Sequence, residues 1–267
     1  MIKRRLVVFT DLDGTLLDHT TYQWLPAKPA LDALWSAQVP VILNSSKTRS
    51  EIQALREDLG NTDPYITENG AAVVIPEGYF DNEEQQVVTF ARPREVVLEI
   101  LAALREKGFP FRSFEEMTVA ELASATGLDE AAAIKAKARD ATEPLLWKGN
   151  DAALAEFRRA LAIHQLQLVE GGRFFHAMGF FDKAGAMLYL MEQYRERSPG
   201  VDVVSIALGD SPNDARMLEQ ADIPVVIKGV NSDSLVLSGG RKAMRSDKAG
   251  PAGWNDCVLQ ILADFSG

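Results

Sequence analysis

From Leu6 to Phe9 the chain is wholly apolar, and the run stops at Thr10-Asp11-Leu12-Asp13-Gly14-Thr15. A short apolar run without polar alternation fits a strand buried on both faces. Such strands belong to parallel sheets covered by helices. The same pattern recurs along the chain. Strand-like segments at 39–43, 64–67, 72–75, 203–208 and 224–227 are separated by helical patterns at 29–37, 50–59 and 212–220. This alternation predicts an α/β fold with a parallel sheet. Ligands on such sheets bind beyond the carboxyl ends of the strands, and Asp11, Ser45 and Asp210 each stand just past one.

The middle of the chain reads differently. A strand at 87–90, a helix at 94–107 and a strand at 111–114 precede an Ala-rich helical stretch at 119–138 that is broken near Gly127. A strand at 145–147, a helix at 151–163 and strands at 167–169 and 174–178 follow. The expected division is 1–83 and 179–267 for the parallel-sheet core, with 84–178 as an inserted α+β block.

Composition narrows the function. The net charge is −10 with no sustained basic run, which argues against a nucleic-acid surface. It leaves room for a small anionic substrate, because a few local cations and a metal reverse the field inside a cleft. The single cysteine, Cys257, has no partner for an internal disulfide and suits a reducing compartment. No apolar run approaches a membrane span, and the first one is too short for a signal sequence and contains acids. The expectation is a cytoplasmic protein with neither membrane nor nucleic-acid partners.

The two aspartates past the first strand suit phosphoryl chemistry: one carboxylate attacks phosphorus, the other handles the proton, and together they hold magnesium. A plain Asp-Gly turn is the alternative. Ser45-Ser46-Lys47-Thr48 precedes a helix, where hydroxyls and N–H groups hold a phosphate oxygen or merely cap the helix. Lys183 opens another helix, as a phosphate-facing cation or a solvated one. Gly209-Asp210-Ser211-Pro212-Asn213-Asp214 is a capped helix start whose acids are also spaced for one metal site. Glu68-Asn69-Gly70-Ala71 reads as a hairpin-like turn.

Taken in order, these segments resemble the haloacid dehalogenase superfamily of aspartyl-phosphate phosphatases, and Glu68-Asn69-Gly70-Ala71 is typical of its branch with a large α/β cap. The resemblance implies a Rossmann-like core plus the inserted cap, with Asp11 as nucleophile and Asp13 as general acid and base. It implies Mg2+ held by Asp11, the Asp13 carbonyl, Asp210 and Asp214. Ser45 and Lys183 would hold phosphate oxygens, with Asn213 orienting Lys183 or the phosphate.

Cap segments sharpen the likeness. Met117-Thr118-Val119-Ala120-Glu121-Leu122, Thr126-Gly127-Leu128, the stretch from Lys137-Ala138-Arg139 to Glu143, and Gly171-Gly172-Arg173-Phe174-Phe175-His176 resemble the mannosyl-3-phosphoglycerate phosphatase family. This implies a small phosphorylated sugar-glycerate substrate and mannosylglycerate, a compatible solute, as product. Phosphatases of glucosyl-3-phosphoglycerate or sucrose phosphate, and phosphomannomutase-like phosphotransferases, share much of the pattern. Arg173, His176, Arg139 and Lys47 are the expected substrate contacts, since Arg presents a planar fork to a carboxylate. On a regular strand Arg173 and His176 face opposite ways.

Overall fold

In the computed structural model, which describes residues 3–171 and 174–266, the first apolar run is the strand β1, Lys3–Thr10. The strands that follow are β2 (Val41–Asn44), β3 (Tyr65–Thr67), β4 (Ala72–Ile75), β5 (Gln86–Thr89), β6 (Phe111–Ser113) and β7 (Glu143–Trp147). After them come β8 (Gln167–Gly171), β9 (Phe174–Met178), β10 (Val201–Gly209), β11 (Ile223–Lys228) and β12 (Met244–Ala249). Eight form one sheet in the order β12-β11-β10-β1-β2-β3-β4-β5, and β6-β7-β9-β8 form a second sheet of four.

The large sheet is parallel from β12 through β3, and the pairs β3–β4 and β4–β5 are antiparallel. Alternation along β1 explains its apolar run. Leu6 and Val8 pack toward the helices Lys28–Ser36, Arg49–Leu59 and Gly250–Ser266, while Val7 and Phe9 pack toward Lys183–Glu196 and Ala215–Gln220. Every position must be apolar because both faces are covered. Cys257 is free and buried in the helix Gly250–Ser266.

The four-stranded sheet is antiparallel throughout and buries one face well. Val97, Leu101 and Leu104 from the helix Arg94–Glu106, with Phe157 and Leu161 from Asp151–Ile163, pack on Phe111, Leu145, Leu168 and Ala177. The opposite face has a smaller cluster around Phe114, Met117, Leu122 and Ala133. The two helices over it, Val119–Thr126 and Glu130–Lys137, separate at Gly127, whose φ of +79° ends the first.

Two expectations need adjusting. The strand at 87–90, read as the start of the inserted block, is β5, and it pairs with β4 at Val73–Val88 on the edge of the large sheet. A start at 84 therefore cuts through a hairpin of the large sheet. The helix expected over 212–220 is a 3-10 turn at Pro212–Asp214 followed by a short α-helix at Ala215–Gln220.

Candidate active site

Parallel pairing of β1 with β10 sets Thr10 beside Leu208, so Asp11 and Asp210 emerge together at the carboxyl edge. The Asp11 N–H donates to the Leu208 carbonyl at 2.9 Å, extending the ladder by one residue. Lys183, at the start of its helix, bridges Asp11 and Asp214. Its ammonium donates to Asp11 Oδ1 at 2.5 Å and to Asp214 Oδ1 at 2.7 Å. The other Asp214 oxygen accepts the N–H groups of Asp210 and Ser211, both at 3.2 Å, which folds the turn after β10 around it. Thr15 donates its hydroxyl between Asp11 Oδ2, at 3.2 Å, and Asp210 Oδ1, at 3.3 Å.

Glycines make the close packing possible. A Cβ on Gly14 would lie 2.6 Å from Asp210 Oδ2, and one on Gly229 would lie 2.5 Å from it. Gly14 also has a φ of +86°, a left-handed conformation that glycine adopts without strain. Gly229, just past β11, was not singled out from sequence; nothing local distinguishes it from any loop glycine.

Asp11, Asp210 and Asp214 are 6%, 5% and 0% exposed, and oxygens from the three lie within 4.8 Å of one another. Burial pushes the Asp11 carboxyl up to about 7, and Lys183 only partly offsets that. Burial first, then repulsion from Asp11 and Asp214, pushes Asp210 up to about 8. For Lys183, burial opposes the charge and the two aspartates outweigh it, holding the ammonium above the ordinary lysine range. Three buried carboxylates thus share one buried cation. An all-oxygen donor set with unneutralised charge fits a hard divalent cation.

Above this cluster is a cavity of about 360 Å³. Its lower wall includes Asp11, Asp13, Lys47 and Asp210, and its upper wall includes Phe174 and His176 from β9 and Phe114 just past β6. The face of the small sheet that bears the smaller cluster therefore roofs the carboxyl edge of the large one. Lys47 Nζ stands 2.9 Å from Asp13 Oδ1 and 5.1 Å from the ring of Tyr22. Burial opposes the Lys47 charge, but Asp13 and Glu51 outweigh it and raise its pKa. His176 is 6% exposed with Nδ1 buried and unpartnered among the described residues. Burial, then the nearby Arg139 and Lys183 charges, lowers its pKa to about 3, so the ring is neutral.

The remaining expected residues sit as follows. Ser45 is buried at the end of β2, its hydroxyl accepting the Lys47 N–H at 3.2 Å. Asn213 takes the Ser211 hydroxyl at 2.5 Å and donates to Asn69 at 3.4 Å. The orienting partners of Lys183 are Asp11 and Asp214 instead, because Asn213 points along the Ser211 turn. Arg139 lines the cavity, yet its guanidinium donates to Thr142 Oγ1 at 2.9 Å and to the Ser46 carbonyl at 2.7 Å. Arg173 lies outside the described residues. Glu68, read from sequence only as part of a turn, is a buried carboxylate bonded across to residues 140–142. Its partners are more than seventy residues away, beyond reach of any local signal.

The fold and the cluster define an α/β protein with an acidic, lysine-bearing cleft at a parallel sheet edge. Residues 8–153 match the family described as haloacid dehalogenase-like hydrolase, and the chain belongs to that family. A glucosyl-3-phosphoglycerate/mannosyl-3-phosphoglycerate phosphatase of Methanococcoides burtonii is 34% identical, over 96% of this chain and 97% of the relative. A phosphatase of the same name from Persephonella marina is 32% identical, over 97% of this chain and 98% of its own. Among solved structures, a Thermoplasma acidophilum protein aligns over 99% of both chains at a TM-score of 0.69 and 20% identity. A haloalkanoate-superfamily phosphatase from Bacteroides thetaiotaomicron aligns over 98% of this chain and 96% of its own, at 0.66 and 18%. These two carry the fold alone.

Proposed function

We propose that this chain is a magnesium-dependent phosphatase that hydrolyses mannosyl-3-phosphoglycerate to mannosylglycerate and phosphate through a phosphoaspartate at Asp11. The observation that carries the reading is the juxtaposition of Asp11, Asp210, Asp214 and Lys183 beneath a roofed cavity. The names of the two relatives support phosphate-ester hydrolysis over phosphotransfer, and they include the glucosyl ester as a second substrate.

In the first half-reaction an Asp11 oxygen forms a bond to phosphorus while the bond to the glycerate oxygen breaks. Asp13 supplies the proton to that leaving oxygen. In the second half-reaction water attacks phosphorus, Asp13 takes its proton, and the bond from Asp11 to phosphorus breaks. Asp11, Asp210 and Asp214, with the Asp13 carbonyl, are the residues proposed to hold Mg2+. When bound, the metal neutralises carboxylate and phosphate charge, so that two anions approach one another.

Lys183 has three N–H donors, of which Asp11 and Asp214 use two. The third, with Ser45, is assigned to the non-bridging phosphate oxygens and the charge that builds on them. Asn213, flanking the cavity, is assigned to the phosphate as well. Lys47 holds Asp13 in place between the two half-reactions and offers a charge to the glycerate end. His176, neutral and with Nδ1 unpartnered among the described residues, suits a sugar hydroxyl. Arg173 is assigned to the glycerate carboxylate on its chemistry alone. Arg139 is better placed as a structural joint than as a substrate contact, since the protein already occupies its nitrogens. A cytoplasmic setting accompanies this reading, with the free thiol of Cys257 buried.

The test is phosphate release from the mannosyl ester with magnesium, then with a chelator, together with borohydride trapping of the acyl phosphate. Magnesium-dependent release and label at Asp11 support the proposal. Release that persists after chelation, or without label at Asp11, contradicts it.

A further inference from the structure

Glu68 is 1% exposed, in a turn where both it and Asn69 have left-handed backbones, with φ of 48° and 60°. Bulky residues adopt that conformation only where surrounding bonds enforce it. Here the Glu68 N–H donates to the Lys47 carbonyl at 2.9 Å, and the Asn69 N–H donates to the Ser45 carbonyl at 2.8 Å. The turn is thereby tied to the loop that bears two of the proposed site residues.

The Glu68 side chain reaches the other way, into the inserted block. Oε1 accepts the Asp140 N–H at 2.7 Å. Oε2 accepts the N–H groups of Ala141 and Thr142 at 3.3 and 2.9 Å, and the Thr142 hydroxyl at 2.6 Å. Arg139 Nε lies 3.5 Å from Oε2, and Nη2 of the same guanidinium donates to the Ser46 carbonyl at 2.7 Å. Further bonds extend the seam: the Thr48 hydroxyl donates to the Lys135 carbonyl at 2.8 Å, and Arg49 pairs with Asp140 at 2.9 Å. A buried carboxylate so fully bonded holds its partners rigidly, because losing any of them leaves a desolvated group unsatisfied.

We infer that Glu68 is a positioning residue. It fastens the inserted block to the Ser45–Lys47 loop and so sets discrimination between bulky and small phosphate esters. The inference rests on the phosphatase reading and extends it. A small ester needs only the acidic cluster and Lys183. A sugar-glycerate ester must also meet the roof of the cavity, whose height over Asp11 depends on residues 139–142. The strand β7, which begins at Glu143, follows that segment directly and lines the roof through Pro144.

The experiment compares the parent with Glu68→Gln, which keeps the shape but places an amide N–H₂ among N–H donors. Kinetics are measured with mannosyl-3-phosphoglycerate and p-nitrophenyl phosphate, and amide exchange is followed at residues 140–142 and in β1. The expected result is a rise of about tenfold or more in KM for the sugar ester, with p-nitrophenyl phosphate turnover within about twofold of parent. Exchange at 140–142 quickens while β1 stays protected. Equal losses on both esters, or unchanged kinetics despite faster exchange at 140–142, overturn the inference. Should Glu68→Gln fail to fold, Thr142→Val removes the hydroxyl that donates to Glu68 and accepts from Arg139 Nε, and leaves the three backbone N–H donors in place. A smaller shift with the same selectivity then supports the inference, and an equal effect on both esters overturns it. A parent inactive on both esters contradicts the phosphatase reading instead; protection at 140–142 that survives Glu68→Gln overturns the seam by itself.

Discussion

The two sheets solve the same packing problem in opposite ways. The eight-stranded sheet is covered on both faces, so its central strands carry apolar runs and its acidic cluster is confined to one edge. The four-stranded sheet has one well-packed face and turns the other toward that edge. In the proposed reading the chemistry sits on the element with the most burial, and recognition on the element whose second face is only partly covered. This division makes it physically simple for substrate choice to vary while the acidic cluster stays fixed.

Removing the proposed nucleophile breaks the comparison hardest. Asp11→Asn is expected to lower turnover of every phosphate ester by at least about 10⁴-fold, as for other groups that act as a unit. Circular dichroism should stay native. Substantial magnesium-dependent turnover by that variant would place the chemistry elsewhere.

The cap core is the next target. Phe157 is fully buried against Phe109, Phe111 and Trp147, at ring separations of 5.3, 5.2 and 5.1 Å. Phe157→Ala should cost about 3–5 kcal/mol of stability. Hydrogen exchange should show that loss in β6–β9 and spare β1. A uniform loss across both sheets would mean that they unfold as one unit.

Gly229→Ala addresses the acidic edge without replacing a carboxylate. Its added Cβ, 2.5 Å from Asp210 Oδ2, should force that side chain aside. Magnesium affinity, read by calorimetry, is expected to fall about 10–100-fold, as when a supporting contact to a ligand is lost. Unchanged affinity would remove Asp210 from the metal site.

The smallest effect concerns pH. The folded pKa of His176 is lowered to about 3 by burial, below the ordinary value of 6.5. Between those values the unfolded chain binds a proton that the folded one does not, so this residue's contribution to stability falls as pH drops from about 6.5 toward 3. His176→Asn should flatten that part of the stability profile. A His176 resonance titrating near pH 6.5 would show the ring to be solvated.

Much of the large sheet was legible because double burial writes itself into local sequence as apolar runs. The positions of the aspartates, Ser45 and Lys183 were legible because strand ends and helix starts are marked by turn and capping residues. Other features lack such marks. β12 reads Met-Arg-Ser-Asp-Lys-Ala, an edge strand held by β11 on one side, so no apolar pattern distinguishes it. β5 shows apolar residues, but its choice of β4 as partner depends on a hairpin, which periodicity does not reveal. Arg139 was read as a substrate contact and Glu68 only as part of a turn. Their bonds to Ser46 and to residues 140–142 arise only when distant segments meet.

The central claim is that the large sheet supplies the chemistry and the small one the choice of ester. The most direct measurement is kcat/KM with magnesium for mannosyl-3-phosphoglycerate, glucosyl-3-phosphoglycerate, 3-phosphoglycerate and p-nitrophenyl phosphate side by side. The account predicts hydrolysis of all four, with the two sugar esters preferred by about 10²-fold or more, which corresponds to about 2.7 kcal/mol of added transition-state binding. Comparable values for all four would contradict it, leaving the roof of the cavity without a part in recognition.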